Sequence, residues 1–166
     1  MISRVRTALR MFLVPGVCIG LTLLAVAADS IGPGRDPGIQ QQSTPRVGRG
    51  QSATLLPDGS WLLVGGFGDK GSVSAQAVRL DTATGSRAVL NATLSVARAN
   101  QTATVLPDGS VLVVGGTDRF GQPVAEIERF HPNANRFENL GDAGIGARAG
   151  HSATLLTDGR VLIAVE

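Results

Sequence analysis

Gln51-Ser-Ala-Thr-Leu-Leu-Pro-Asp-Gly-Ser-Trp-Leu-Leu-Val-Gly-Gly66 returns fifty residues later as Gln101-Thr-Ala-Thr-Val-Leu-Pro-Asp-Gly-Ser-Val-Leu-Val-Val-Gly-Gly116, with twelve of the sixteen positions identical. A third copy starts at His151 with the same offset and runs Ser-Ala-Thr-Leu-Leu-Thr-Asp-Gly-Arg-Val-Leu-Ile163. Between the first two copies the alignment continues without a gap: Gly71 matches Gly121, Ala75 matches Ala125, Arg79 matches Arg129 and Leu90 matches Leu140. A fixed period of this length marks a repeat array. Each unit is one supersecondary element that buries its faces only against its neighbours.

Each unit reads as four short strands. The first is Gln51–Leu56, closed by a tight turn at Pro57-Asp58-Gly59. There proline presets φ, the aspartate bonds back to the backbone and glycine accepts a positive φ. Trp61–Gly65 is an unbroken apolar run, as expected of a strand covered on both faces. Gly65-Gly66 ends it, and a polar loop, Phe67–Ser74, leads to a third strand near Ala75–Leu80. Asp81-Thr-Ala-Thr-Gly85 turns the chain into a short fourth strand near Arg87–Leu90. In the second unit the corresponding strands are Val111–Gly115, Ala125–Phe130 and one containing Phe137, and Gly115-Gly116 repeats the glycine pair. Nothing after residue 28 carries a helical period, so the expected class is all-β with four-stranded antiparallel units.

A glycine pair after an apolar strand, four strands to the unit and a period near fifty resemble the kelch repeat. The form His151-Ser-Ala-Thr-Leu-Leu-x-Asp-Gly-Arg-Val-Leu162 is similar to bacterial kelch repeats related to the propeller domain of galactose oxidase. The resemblance covers about residues 49–166. It implies kelch-type propeller blades at 49–98 and 99–148 and a partial blade at 149–166, about two and a half blades in all. The kelch pattern expects an aromatic residue before the third turn, where this chain has Leu80 and Phe130. It expects tryptophan in the fourth strand, where Arg87 and Phe137 stand. The first unit thus departs further from the pattern than the second. In the third unit Val165-Glu166 replaces the glycine pair. Propellers close with about 4–8 blades. The expectation is therefore a truncated part of a longer propeller, with two alternatives: a short chain that associates with copies of itself through open blade edges, or a non-functional remnant.

Length and composition fit this reading. The chain has 166 residues, 22 of them glycine, with 17% charged residues and no tyrosine. Residues 1–27 carry Arg4, Arg6 and Arg10, then a charge-free apolar run ending in Ala25-Val-Ala27, the layout of a cleaved secretion signal, with an uncleaved single-pass anchor as the alternative. Residues 28–48, rich in Gly, Pro, Gln and Ser, read as a linker. The formal charge of +2 comes from the signal segment, because the rest of the chain has 12 basic groups against 13 acidic. No basic run remains to neutralise several phosphates, which argues against a nucleic-acid partner. The expected location is secreted or periplasmic, with no membrane contact after cleavage. Fourteen arginines to one lysine point to a GC-rich bacterial coding sequence.

The resemblance to galactose oxidase raises a copper radical cofactor held by histidine and by tyrosine cross-linked to cysteine. This chain has no tyrosine and a single cysteine, Cys18, inside the signal segment. No cofactor, metal site or catalytic residue is therefore expected. The alternative is the N-terminal piece of a galactose oxidase-like enzyme whose catalytic residues lie elsewhere. His131 takes the place of Asp81, and His151 the place of Gln51 and Gln101; the different registers argue for two structural histidines. Asp58-Gly59, Asp108-Gly109 and Asp158-Gly159 recur at one turn position, which favours a turn role over catalysis. Arg98 and Arg148 each precede a new unit by three residues, as arginine does in kelch repeats, and are expected to bind carbonyls or acids between blades.

Strand alternation puts the loops after the second strand and the connections between units on one face. Those loops are longer and more varied than the Asp-Gly turns opposite. Loops held on a rigid scaffold are where binding concentrates. Phe67, Asp69, Lys70, Asp118, Arg119 and Phe120 are thus the candidate ligand-facing residues, for a protein or carbohydrate partner. The expected function is an exported binding scaffold without catalysis.

Overall fold

The computed structural model of the chain describes residues 44–165. The secretion signal proposed at 1–27 and most of the 28–48 linker lie outside the described residues. The first sheet contains β1 (Ser52–Leu55), β2 (Trp61–Val64), β3 (Gln76–Leu80) and β4 (Arg87–Thr93) in sequential antiparallel order. The second repeats it with β5 (Thr102–Val105), β6 (Val111–Val114), β7 (Glu128–His131) and β8 (Arg136–Asn139). A third, two-stranded sheet pairs β9 (His151–Leu155) with β10 (Val161–Val165). We call these blades 1, 2 and 3. The fold is all-β and built of kelch-type antiparallel blades, the last incomplete.

The turn chemistry read from the sequence closes the first hairpin of every blade. Leu56 N donates to Ser60 O at 2.8 Å and Gly59 N to Leu56 O at 2.9 Å, with Gly59 at φ +83°. Asp58 Oδ1 accepts from both the backbone N and the Oγ of Ser60, at 3.0 and 2.7 Å. Asp108 repeats this with Ser110 at 3.1 and 2.6 Å. In blade 3, Asp158 accepts from the backbone N of Arg160 at 3.1 Å. The recurring aspartates have a second partner as well. Asp58 pairs with Arg79 and Asp108 with Arg129, across from the first hairpin to the third strand. The constant spacing of 21 residues in both copies was the sequence signal for this link.

The apolar run of β2 is covered on both faces: Leu62, Leu63 and Val64 are all fully buried. The core lies between blades, where Leu56, Leu62, Val64, Ala77 and Leu94 meet Val111, Val113 and Phe130. The first strands of successive blades also touch side by side. Thr54 Oγ1 donates to Ala103 O at 3.3 Å, and Gln101 Nε2 to Val64 O at 2.6 Å. The blades therefore stack through polar bonds as well as through apolar area.

The glycine pair seats the next blade. Gly65 and Gly66 are buried at φ +62° and +93°. Gly66 N donates to Arg98 O at 2.9 Å. A Cβ on Gly65 would approach that same carbonyl to 2.5 Å. Gly115 and Gly116 hold the same relation to Arg148, with Gly116 N donating to Arg148 O at 2.9 Å. In blade 3 the chain does not turn at this point: β10 runs on through Val165, which pairs with His151.

The strand boundaries differ from expectation in two places. β4 extends to Thr93, with a register shift between Gln76 and Val78. The third strand of blade 2 begins only at Glu128, not near Ala125, because Pro123 and Val124 are drawn into isolated bridges with Thr117 and Arg148. Among the described residues no helix is long and apolar enough to cross a membrane.

Candidate functional site

The loop after β6 folds on its own aspartate. Asp118 Oδ1 accepts from Phe120 N at 2.8 Å and Gln122 N at 2.9 Å. Gly121 N donates to Asp118 O at 3.0 Å. This cap projects the next two side chains outward. Phe120 is 70% exposed, and the Arg119 guanidinium lies 4.6 Å over its ring. Asp118, Arg119 and Phe120 line a cleft of about 310 Å³ together with Ser95, Val96 and Ala97 of the connection from blade 1 to blade 2. Loop and connection thus share a face, as strand alternation requires.

The far wall of the cleft is held from beneath. Ser95 N donates to Glu128 Oε2 at 2.8 Å, and Glu128 Oε1 accepts from Arg98 at 2.6 Å. Both partners of that ion pair are buried, with side chains 0% and 1% exposed. Arg98 donates further to Glu126 O at 2.5 Å, Val96 O at 3.2 Å and Gly115 O at 3.4 Å. Burial pulls the Arg98 pKa down, while Glu128 and then Glu126 push it back. Asn139 Nδ2 donates to Ser95 Oγ at 3.0 Å and anchors the connection from the other side. The Arg98 side chain thus ties the incoming connection to blade 2 through an acid and carbonyls. Arg148 bonds locally, to the carbonyls of Ile145 and Gly146.

Glu128 was not visible as a site residue in the sequence, since the equivalent residue of blade 1 is Val78. Its signal was a paired departure. Where blade 2 has Arg98 and Glu128, blade 1 has Gly48 and Val78, so both members of the ion pair are absent together.

The other candidates lie elsewhere. Phe67 is half-buried, with the Arg49 guanidinium 5.0 Å from its ring and a bridge to Val73. Asp69 and Lys70 are exposed at a one-turn tip where Lys70 has φ +61°. None of these three lines the cleft. The two histidines do not converge on one another. His131 Nε2 lies 2.8 Å from Glu138 Oε2 on the outer strands, and this contact lowers the Glu138 pKa. His151 is buried at the start of β9, with Nε2 2.9 Å from Thr102 Oγ1. Burial, and next the neighbouring Arg148, lower its pKa. No group of three or more potential metal ligands occurs among the described residues.

A second cavity, of about 340 Å³, opens at the other end of blade 1 between Asp58, Ser60, Arg79, Asp81, Thr82 and Ser86. Its polar groups are spent on one another. Asp58 is taken by Ser60 and Arg79, Thr82 donates to Gly59 O at 3.0 Å, and Asp81 accepts from the backbone of Ala83 and Thr84 at 2.8 and 2.9 Å. Those bonds, led by the one from Thr84, lower the Asp81 pKa. The cleft beside Phe120, by contrast, presents an aromatic ring and a guanidinium outside every described ion pair. We take it as the candidate site.

Comparison with known proteins agrees with the blades. The kelch motif model matches residues 98–143. Among solved structures, that of YjhT is 16% identical with a TM-score of 0.56, covering 63% of this chain and 40% of that one. A novel fungal alcohol oxidase with catalytic diversity among the AA5 family, in complex with copper, is 21% identical with a TM-score of 0.59, covering 72% of this chain and 27% of that one. The chain thus spans less than half the length of either neighbour, and the likeness to them is one of fold. No curated protein matches.

Proposed function

Starting from a chain of kelch repeats with the propeller-blade fold, we propose that it serves as an exported, non-catalytic binding scaffold for a protein or a glycan. The cleft between the 118–120 tip and the 95–97 connection is the proposed binding site. One observation carries this reading: an exposed phenylalanine and a guanidinium outside the described ion pairs project from a loop capped by its own aspartate, against a wall pinned by a buried ion pair. Loops held on a rigid scaffold are where binding residues concentrate. The non-catalytic role rests on the lack of tyrosine and on Cys18 as the only cysteine. Export rests on the layout of residues 1–27, and the arginine bias supports a bacterial source.

The test replaces residues 118–121 by Gly-Ser and measures partner capture from the cell's own envelope fraction. Loss of every partner retained by the unaltered chain is the expected result. Equal capture by both forms would remove the cleft from consideration.

A second reading follows from the two structural neighbours, of which this chain spans 40% and 27%. The blades would then form part of a longer galactose oxidase-like propeller. Further fifty-residue units in the coding sequence beyond codon 166, with tyrosines and histidines among them, would favour it.

A further inference from the structure

We infer that the cleft beside Phe120 takes a carboxylate-bearing sugar, a uronic acid unit of an acidic glycan; this rests on the binding-scaffold reading. The guanidinium carbon of Arg119 lies 4.6 Å from the centroid of the Phe120 ring. Attraction to an aromatic face holds a guanidinium without using its N–H donors in hydrogen bonds. None of the described ion pairs includes Arg119. The neighbouring acid, Asp118, spends an oxygen on two backbone N–H groups of its own loop. Arg119 therefore offers an exposed guanidinium outside the described ion pairs, the group that binds a carboxylate through two parallel bonds.

The rest of the lining matches a pyranose. Phe120 is 70% exposed and offers apolar area for a C–H face. Ser95 Oγ accepts from Asn139 Nδ2, so its own hydrogen is free to donate to a sugar hydroxyl. The volume of about 310 Å³ suits one or two sugar rings and no more. A peptide is served less well. Peptides are commonly held by a deep pocket for an anchoring side chain, an apolar groove or an open strand edge. Here the apolar side chains of the lining besides Phe120 are Val96 and Ala97.

The experiment is calorimetric titration of the full chain with a short oligogalacturonate, a neutral oligogalactan of equal length and a polyglutamate peptide. The oligogalacturonate is expected to bind about tenfold or more tightly than the neutral sugar, the worth of one charge-assisted contact. Arg119→Gln should erase that preference and leave neutral-sugar binding in place, whereas Phe120→Ala should weaken both sugars. Both positions are exposed, so an unchanged melting temperature verifies the fold of each variant. An acid preference that survives Arg119→Gln, while Phe120→Ala still abolishes binding, would overturn the inference and leave the binding-scaffold reading standing. Sugar binding unaffected by either variant would overturn both. Polyglutamate binding as tightly as the oligogalacturonate, or no binding by any probe, would overturn the glycan assignment.

Discussion

Blades 1 and 2 have the same strand order and start from nearly the same sixteen residues, yet their outer halves are held by different chemistry. In blade 2, Phe130 and Phe137 face each other across β7 and β8 with ring centroids 4.9 Å apart. In blade 1 the matching pair is Leu80 opposite Arg87. There β4 stays largely exposed, with Val89 at 63%. Blade 2 also owns the buried Arg98–Glu128 pair, which ties its third strand to the incoming connection. Blade 1 has Val78 at that place. The kelch match falls on residues 98–143, within blade 2 and the arginine that enters it. The inner hairpin is therefore the common scaffold, and the outer strands are where copies diverge. The candidate cleft is built on the blade whose outer half is better braced.

The largest expected effect comes from removing one partner of the buried pair. Glu128→Val, the blade 1 residue, strands a guanidinium in the core and should cost about 3–5 kcal/mol. Changing Arg98 to Met in the same chain should recover much of that loss. Urea denaturation of single and double variants measures both, and a double variant no more stable than Glu128→Val would show that the pair is not the bracing element.

Next come the glycines. Gly65→Ala meets the Arg98 carbonyl as well as a left-handed backbone. About 1–2 kcal/mol of conformational strain is then joined by about 1–3 kcal/mol of overpacking. Gly59→Ala, with nothing within 4 Å, should cost only the first amount. Equal thermal shifts for the two variants would contradict the seating role of the glycine pair.

A smaller effect should run the other way. Leu80→Phe with Arg87→Phe installs the aromatic pair of blade 2 in blade 1 and should stabilise it by about 0.5–1.5 kcal/mol beyond the added burial. Hydrogen exchange on β4 reads this directly, through slower exchange of its amides.

The smallest effect is one of pH. The His151 pKa is lowered in the folded chain, chiefly by burial. Between the folded and unfolded values the unfolded chain binds the extra proton. This contribution is therefore intact above the unfolded value of about 6.5, and it falls as the pH drops toward the folded one. His151→Gln places the residue of the other two copies at this site and should flatten stability against pH in that window. A slope that persists unchanged would assign it to another group.

Much of this was legible in the chain itself. The period, the Asp-Gly turns and the buried second strand followed from local rules, because turn geometry and strand alternation depend on residues a few places apart. The departure of blade 1 was also legible, from Leu80 and Arg87 in positions where the pattern calls for aromatic residues. The binding face was only half legible. Strand alternation put the loops after β2 and β6 on the same side as the connections. It did not separate Asp118, Arg119 and Phe120, which line the cleft with Ser95–Ala97, from Phe67, Asp69 and Lys70, which do not.

Sequence alone determined a four-stranded kelch-type repeat and a composition without tyrosine, since both are properties of residue identity and spacing. Tertiary structure decided what Arg98 pairs with, why two successive glycines are required and which loop meets which connection. Those depend on groups brought together from 17 to 33 residues apart, where each contact is set by how one blade packs on the next and by no local pattern.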